Sequence, residues 1–305
     1  MQAKSYWSKS GYRKDDIRAA FICLAPVILI FTTFYIIPMI YSAVLSLAEW
    51  GMGSIKGFVG VSNYFALLRD PYFWNSLKVT LVYTLGVTAL SLPFGLVVAL
   101  GLNVKIPLNS LWRSLYFTPS VTATVAAGIV WTRLFDPYDG LVNHLLRVVG
   151  IFGPAWLSSP EWALVAVILV GAWKRLGFNA MIYLAGLQQV PGELYEAALV
   201  DGANSWQRFV HITCPLLLPT TWLLLIMCVI DSFQVFDLVH VMTSGGPMGS
   251  TEVMGLYLYR QAFGLFHMGY ASAIAWVIFL LVFIATLLQW RVSGSGGASM
   301  YGATQ

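Results

Sequence analysis

The sequence predicts an all-α integral membrane protein with about six transmembrane helices. Hydrophobic residues make up 58% of the 305-residue chain, charged residues make up only 10%, and the mean hydropathy is +0.75. A soluble domain is far less apolar than this. A spanning helix needs about 20 mostly apolar residues. Runs of that kind centre on residues 19–48, 76–102, 112–135, 161–189, 214–236 and 270–290.

The first apolar run predicts a retained spanning helix, because it is much longer than the apolar core of a signal peptide, about 7–15 residues. The tail before it, residues 1–18, is basic. A basic flank is held in the cytoplasm, so we expect a cytoplasmic amino terminus and, after six spans, a cytoplasmic carboxyl terminus. The basic side chains of the tail are Lys4, Lys9, Arg13, Lys14 and Arg18.

Two loops and a tail complete the predicted transmembrane domain of residues 19–291. A polar loop at about 190–213 falls on the cytoplasmic side, and a longer connection at about 237–269 falls outside. Residues 292–305 are rich in glycine and serine. That composition predicts a flexible cytoplasmic tail.

Motifs for chemistry on this chain are not visible in the sequence. It contains no phosphate-binding loop, no H-E-x-x-H and no G-x-S-x-G, and its histidines are scattered. An intramembrane enzyme would need a nucleophile and a base at matching depth. The cysteines show no metal-ligand spacing, so no metal site is predicted. The net charge of +4 is small and lies mainly at the amino terminus, which gives no support for a nucleic-acid partner.

The polar loop predicts a short helix. Leu194 and Ala198 fall on one side of it, and Gly202 suits a helix stop in the left-handed conformation. We expect Ser205 to cap a second helical stretch whose Trp206 packs under the bundle. From these residues alone, the first helix either docks into the groove of a partner or is an ordinary interfacial helix.

The same loop contains fixed residues at fixed spacing. A Glu-Ala-Ala triplet is followed after three residues by glycine, after nine more by isoleucine and after two more by proline. This pattern closely resembles the EAA motif of ABC importer permeases, except that Cys214 stands where the motif usually has leucine. The resemblance implies a coupling helix seated in a groove of an ATPase. The residues it assigns to coupling are Glu196, Ala197, Ala198, Asp201, Gly202, Ala203, Ile212 and Pro215.

Three further segments, Leu24–Leu47, Phe178–Ala203 and Phe233–Pro247, resemble carbohydrate-uptake permeases of the maltose and glycerol-3-phosphate type. The resemblance covers nearly the whole chain and implies the type I ABC importer permease fold in a bacterial or archaeal cell membrane. It further implies pairing with a second permease, two cytoplasmic ATPase subunits and an extracytoplasmic solute-binding protein.

The implied function is the import of a sugar, an oligosaccharide or a polyol such as glycerol-3-phosphate. ATP and Mg would bind to the ATPase subunits, and no cofactor would bind to this chain. The alternative from another class is a self-contained secondary transporter or channel, which would need no ATPase and would give no reason for an EAA helix.

Charged side chains interrupt the middle of the fourth apolar run. Lys174 and Arg175 would each cost about 2.5–3.5 kcal/mol if they faced lipid, so at least one should face a polar cavity or a carboxylate. Asp231 either lines a pathway with Gln234, three residues away, or neutralises Lys174 or Arg175. Carboxylate, amide and aromatic groups together suit a sugar. The predicted pathway residues are Lys174, Arg175, Asn179, Asp231, Phe233, Gln234, Phe236 and Asp237.

The external connection contains the sequence Gly245-Gly246-Pro247. These residue types are typical of a tight turn. The resemblance offers a second interpretation, an outer loop near the gate or near the solute-binding protein.

Overall fold

The computed structural model describes residues 14–51, 54–104 and 107–301. The predicted basic tail lies outside these residues up to residue 13. In the described part of the chain, five helical segments are long and apolar enough to cross a membrane. They are Phe21–Ser46, Pro71–Asn103, Pro160–Gln188, Ser205–Phe233 and Met268–Arg291.

The secondary structure is almost entirely helical, with one short antiparallel hairpin. The strands are β1 (Ala48–Gly51) and β2 (Ser54–Phe58). π-Helical turns lie at Thr32–Ile36, Phe209–Thr213 and Arg260–Gly264. The helices are α1 (Lys14–Phe31), α2 (Ile37–Ser46), α3 (Ser62–Leu68), α4 (Pro71–Asn103), α5 (Asn109–Val121), α6 (Thr124–Leu134), α7 (Leu141–Val148), α8 (Pro160–Gln188), α9 (Gly192–Val200), α10 (Ser205–Arg208), α11 (Cys214–Phe233), α12 (Asp237–Met242), α13 (Met254–Tyr259) and α14 (Met268–Tyr301).

The centre of the fold is the packing of α4 against α8, with α11 alongside. Small residues let these helices approach closely, as is common between helices in membranes. A Cβ atom added to Gly95 of α4 would lie 2.9 Å from the Cβ of Asn179, and one added to Gly171 of α8 would lie 2.4 Å from the hydroxyl of Tyr83. Close approach of this kind makes the pair a rigid core on which the other helices pack.

The predicted third span, residues 112–135, is wrong as a single helix, because the structure has α5 and α6 in its place. Thr122 and Ala123 between them are extended, with φ/ψ of −65°/136° and −54°/128°. Pro119 contributes to the break, since proline removes one backbone donor from the last turns of α5. A window of span length averages this short, partly polar stretch with the apolar residues on both sides, which is why the hydropathy pattern does not reveal the break.

The polar loop forms a helix as predicted, and Gly202 after it adopts a left-handed φ of +76°. The predicted cap at Ser205 is wrong. Asn204 caps α10 instead: its Oδ1 accepts from Gln207 N at 2.9 Å, and Gln207 Oε1 accepts from Asn204 N at 2.8 Å. This reciprocal pair satisfies two backbone donors at once, which the Ser205 hydroxyl would not do. Trp206 does not pack under the bundle, since it is 70% exposed.

The last helix continues beyond the last apolar run. α14 reaches Tyr301, and residues 302–305 lie outside the described part, so the flexibility of the tail at 292–305 stays a prediction. Once a helix is nucleated in an apolar run, each further residue adds one backbone hydrogen bond. Propagation therefore carries the helix into the glycine- and serine-rich end.

A carboxylate joins three helices at the end of the bundle opposite α9. Asp70 accepts hydrogen bonds from the hydroxyls of Tyr257 and Tyr270, the latter at 2.7 Å. Burial raises the pKa of Asp70, but these two hydrogen bonds and those from the backbone outweigh it, so the pKa lies below the usual value. Burial and the bond to Asp70 raise the pKa of Tyr257 to about 12.

A glycine-to-alanine pair tests the close packing of α5 on α8. A Cβ atom on Gly177 would lie 1.9 Å from the backbone oxygen of Tyr116, whereas one on Gly101 of α4 would meet nothing within 4 Å. Overpacking against backbone costs about 1–3 kcal/mol, so Gly177→Ala should lower the melting temperature of the purified protein. Gly101→Ala is the control and should be neutral or stabilising, because alanine favours a helix by about 0.8–1.0 kcal/mol over glycine. Equal melting temperatures for the two variants would contradict this packing.

Candidate functional site

A cavity of about 490 Å³ lies beside the break between α5 and α6. Its size is typical of sites for small organic ligands, about 300–1,000 Å³. It is bounded by α4, α5, α6, α8 and the chain from the end of α11 to the start of α12. The lining residues are Tyr83, Ser120, Thr124, Gly171, Lys174, Arg175, Phe178, Met227, Asp231, Gln234, Val235, Asp237 and Leu238.

The cavity lies at mid-membrane depth. Lys174 is about 21 Å from either end of α8, at a rise of 1.5 Å per residue. Lys174 and Arg175, the two charged residues in the middle of the fourth apolar run, both line this cavity.

Lys174 binds the broken end of α5. Its Nζ donates to the carbonyl oxygen of Thr122 at 2.7 Å and, more weakly, to that of Pro119 at 3.4 Å. Because Thr122 and Ala123 leave the helical conformation, the last carbonyl groups of α5 lack their usual intrahelical donors. The ammonium group supplies the donors that water would supply outside a membrane.

A serine completes the junction between α5 and α8. The Ser120 hydroxyl donates to the carbonyl oxygen of Lys174 at 2.9 Å and accepts from the backbone N–H of Phe178 at 3.0 Å. The break and the middle of α8 are thus joined in both directions, which fixes where the cavity opens.

Arg175 pairs with Asp231. Its Nη1 donates to the Asp231 Oδ2, and its guanidinium lies 5.6 Å from the ring centre of Phe178. The Arg175 side chain is 13% exposed and that of Asp231 is 57% exposed. Within the described residues, Nε and Nη2 of Arg175 are buried and have no hydrogen-bond partner. Of the two partners that the sequence leaves open for Asp231, the structure selects Arg175.

Five of the eight predicted pathway residues line the cavity, namely Lys174, Arg175, Asp231, Gln234 and Asp237. The other three point elsewhere.

Asn179 is fully buried and donates to Ser91 Oγ at 3.1 Å. Phe233 is buried in the bundle, and Phe236 contacts the rings of His240 and Tyr259 with centroids 5.2 and 4.9 Å apart. These side chains point toward neighbouring helices and away from the cavity, so they contribute to helix packing.

Several lining residues come from segments that the sequence did not single out. Tyr83 of α4 and Ser120 and Thr124 at the break reach the cavity from other spans. One weak signal was available, since Thr118-Pro119-Ser120 interrupts the third apolar run with residues that break helices.

The Gly245-Gly246-Pro247 segment forms a hydrogen-bonded turn. Gly245 has a φ of +85°. Gly246 N donates to the carbonyl oxygen of Thr243 at 2.9 Å, and the Thr251 hydroxyl donates to that of Gly246 at 2.9 Å. Tight-turn geometry is therefore present, and a role of Pro247 near a gate stays a prediction.

The predicted coupling residues surround α9, which has no buried residue. Glu196 and Ala197 are exposed, and the Ala203 N–H donates to the carbonyl oxygen of Ala198 at 2.8 Å to close the helix. Ile212 and Pro215 are half-buried at the start of the next span. Helix α9 thus projects from the bundle and offers a free surface on the side away from the half-buried Tyr195 and Ala198.

Residues 91–293 match the model of the family described as the inner membrane component of binding-protein-dependent transport systems. The chain belongs to this family. It is a permease subunit of an ABC importer, which confirms the function and the fold predicted from the resemblance.

Named relatives cover nearly all of this permease. The arabinooligosaccharides transport system permease AraP of Bacillus subtilis is 34% identical and is matched over 96% of this chain and 93% of its own length. The lactose transport system permease LacF of Rhizobium radiobacter is 35% identical and is matched over 92% of this chain and 96% of its own length. The trehalose/maltose transport system permease MalF of Thermococcus litoralis is 33% identical and is matched over 93% of this chain and 96% of its own length.

The fold of the permease matches solved structures as well. A chain of a bacterial ABC transporter involved in the import of the acidic polysaccharide alginate superposes with a TM-score of 0.79. It is 24% identical, over 92% of this chain and 97% of that one. In a second structure the alginate transporter is in complex with an alginate pentasaccharide-bound periplasmic protein, with a TM-score of 0.81.

Lys174→Met tests whether the lysine holds the helix break. The change keeps most of the side-chain volume but removes the donors to the part-buried carbonyl groups of Thr122 and Pro119. Leaving such an acceptor unpaired costs at most about 1–3 kcal/mol, the range for fully buried groups. We expect a lower melting temperature for the purified permease.

The double variant Lys174→Met with Asp231→Asn is the control that shows whether Lys174 serves the backbone carbonyl groups or the Asp231 carboxylate. Because Asp231 pairs with Arg175, neutralising it should not restore stability. Full rescue by the double variant would show that Lys174 neutralises Asp231, and a wild-type melting temperature for Lys174→Met alone would show that the carbonyl groups do not need it.

Proposed function

We propose that this permease forms, with a second permease, the membrane pathway for a sugar, oligosaccharide or polyol. Two cytoplasmic ATPase subunits bind ATP and Mg and drive the import, and an extracytoplasmic binding protein delivers the solute. Support comes from relatives whose names refer to arabinooligosaccharides, lactose and trehalose/maltose. The alginate transporter in complex with its periplasmic protein supports the delivery step.

The cavity at the helix break carries the proposal. It combines hydrogen-bonding groups from Gln234, Asp237 and Ser120 with apolar surface from Phe178 and Met227. A sugar presents hydroxyl groups at its edge and C–H groups on its face, so both kinds of surface find a partner.

The balance of charge in the cavity favours an uncharged solute over a phosphorylated one. Among the lining residues, the cations Lys174 and Arg175 are matched by the carboxylates Asp231 and Asp237. Arg175 is engaged by Asp231, and Lys174 is engaged by backbone carbonyl groups. A phosphate would therefore bring uncompensated negative charge into a region of low dielectric, which is costly.

Helix α8 provides the mechanical link between the cavity and the ATPase. It contributes Lys174 and Arg175 at its middle, and α9 follows its end after a short turn at residues 189–191. The Tyr195 hydroxyl lies 2.9 Å from the Thr213 hydroxyl, which ties α9 to the start of the fifth predicted span as well. Movement of α9 with the ATPase would displace α8 and α11, two of the helices that line the cavity, and would alternate its access.

The proposed orientation puts α9 and both chain ends in the cytoplasm, with the Gly245–Pro247 turn outside. The exposed surface of α9 is apolar at Leu194, Leu199 and Val200, the last being 89% exposed. Apolar side chains on a projecting helix favour docking into a groove. A secondary transporter or channel would have no use for such a surface.

Ala197→Trp tests the coupling role of α9. The alanine is exposed, so the larger ring should leave the fold intact but block close approach to the ATPase. We expect ATP hydrolysis by the assembled transporter to lose its stimulation by loaded binding protein. Leu218→Trp, an exposed position on α11, is the control and should keep the stimulation. Normal stimulation in the Ala197 variant would remove α9 from the coupling path.

Gln234→Leu tests the solute pathway. The Gln234 side chain is exposed in the cavity, and within the described residues only its backbone makes hydrogen bonds, so its loss should not affect stability. We expect lower solute uptake by proteoliposomes at an unchanged melting temperature. Gln188→Leu makes the same substitution at the exposed end of α8, away from the cavity, and should leave uptake unchanged. Equal uptake by the two variants would place the pathway elsewhere.

A further inference from the structure

The connection between α6 and α8 carries an exposed apolar stripe. Leu141, Leu145 and Val148 recur every three to four residues along α7. Phe152 lies in the loop after this helix, four residues beyond Val148. They are 53%, 58%, 74% and 92% exposed. Large apolar side chains that are grouped and exposed mark an interaction surface.

The opposite face of α7 is anchored, so the direction of the stripe is fixed. The buried Asn143 donates from Nδ2 to the carbonyl oxygens of Pro137 and Pro154, at 3.2 and 3.1 Å. The indole N–H of Trp156 donates to Asn143 Oδ1 at 2.7 Å. One amide thus ties together the turn before α7, the turn after it and a tryptophan, and leaves the stripe pointing away from the protein.

Helix α7 lies close to the ends of the neighbouring spans. Gly140 N donates to the carbonyl oxygen of Asp136 at 3.1 Å, which turns the chain directly after α6. The Trp156 ring packs on Phe135 at 5.2 Å and on Trp162, in the first turn of α8, at 5.5 Å. Tryptophans collect at the level of the lipid head groups, so this cluster marks the depth of α7.

The outer face of α8 is apolar as well and faces away from the cavity. Trp162, Val165 and Leu169 are partly exposed along one face of α8. At 3.6 residues per turn, that face lies about 160° around the helix from the cavity-lining Gly171 and Lys174. Apolar side chains on the outside of a spanning helix contact lipid.

The charge beside the stripe fits a phospholipid surface. Arg147 is exposed on the flank of α7. Within the described residues, only its Nη2 donates a hydrogen bond, to the carbonyl oxygen of Pro137 at 3.2 Å. The remaining donors are available to a head-group phosphate, in the pattern of an amphipathic helix lying in the membrane interface.

We propose that α7 and Phe152 form an interfacial anchor, with the stripe inserted at the head-group level of the leaflet opposite α9. The anchor fixes the end of the broken third span relative to the bilayer.

Spin-label accessibility in the assembled transporter tests the anchor. Cysteines are introduced singly at Leu145 and Val148, which are exposed, with Asp139 as an exposed polar control in the same connection. Cys23 and Cys214 are replaced by serine, and the buried Cys228 is retained. The transporter is reconstituted in vesicles of phosphatidylethanolamine and phosphatidylglycerol, and collisions of each label with oxygen and with a water-soluble nickel chelate are compared.

Labels at 145 and 148 should collide preferentially with oxygen, and the label at 139 with the nickel chelate. Preference for the chelate at 145 and 148 would put the stripe in water and overturn the anchor. Exclusion of both reagents at these positions would mean that a protein covers the stripe, either the second permease or the binding protein, and would overturn it equally.

Discussion

The hydrogen bonds from Lys174 to the open end of α5 are the interaction on which the site depends. In a bilayer, irregular backbone is tolerated only where its polar groups are satisfied by the protein or line a water-filled cavity. Lys174 donates to two carbonyl groups at the break, and Ser120 bonds back to α8. These contacts stabilise the break, and the break in turn opens a cavity with charged side chains in its wall at the middle of the spanning helix α8.

Close packing of the neighbouring helices holds the wall of this cavity in shape. Glycines at 95, 171 and 177 bring α4, α5 and α8 into close contact, so the wall that carries Lys174 and Arg175 is rigid. Helix α9 follows α8 after the turn at residues 189–191. Under the proposed function, the cavity-lining side chains and the surface offered to an ATPase therefore lie on consecutive helices, which would let this subunit respond to ATP hydrolysed on a partner.

Hydropathy and the EAA spacing predicted the membrane fold and the family, because span length and motif spacing are local properties of a sequence. The group of Lys174, Arg175 and Asp231 could also be anticipated, since intramembrane charges need partners. Their pairing could not, because it depends on where α5 ends. Asn179 was misassigned to the pathway for the same reason, as helical rotation is set by contacts with Ser91 and Gly95 on another span.

The decisive measurement is a structure of the assembled transporter with solute bound in the membrane. We expect solute between Gln234, Asp237 and the apolar surface of Phe178, with Lys174 still bound to the carbonyl groups of Pro119 and Thr122. Solute held outside this cavity, or a Lys174 side chain that has left the helix break to bind the solute, would contradict it.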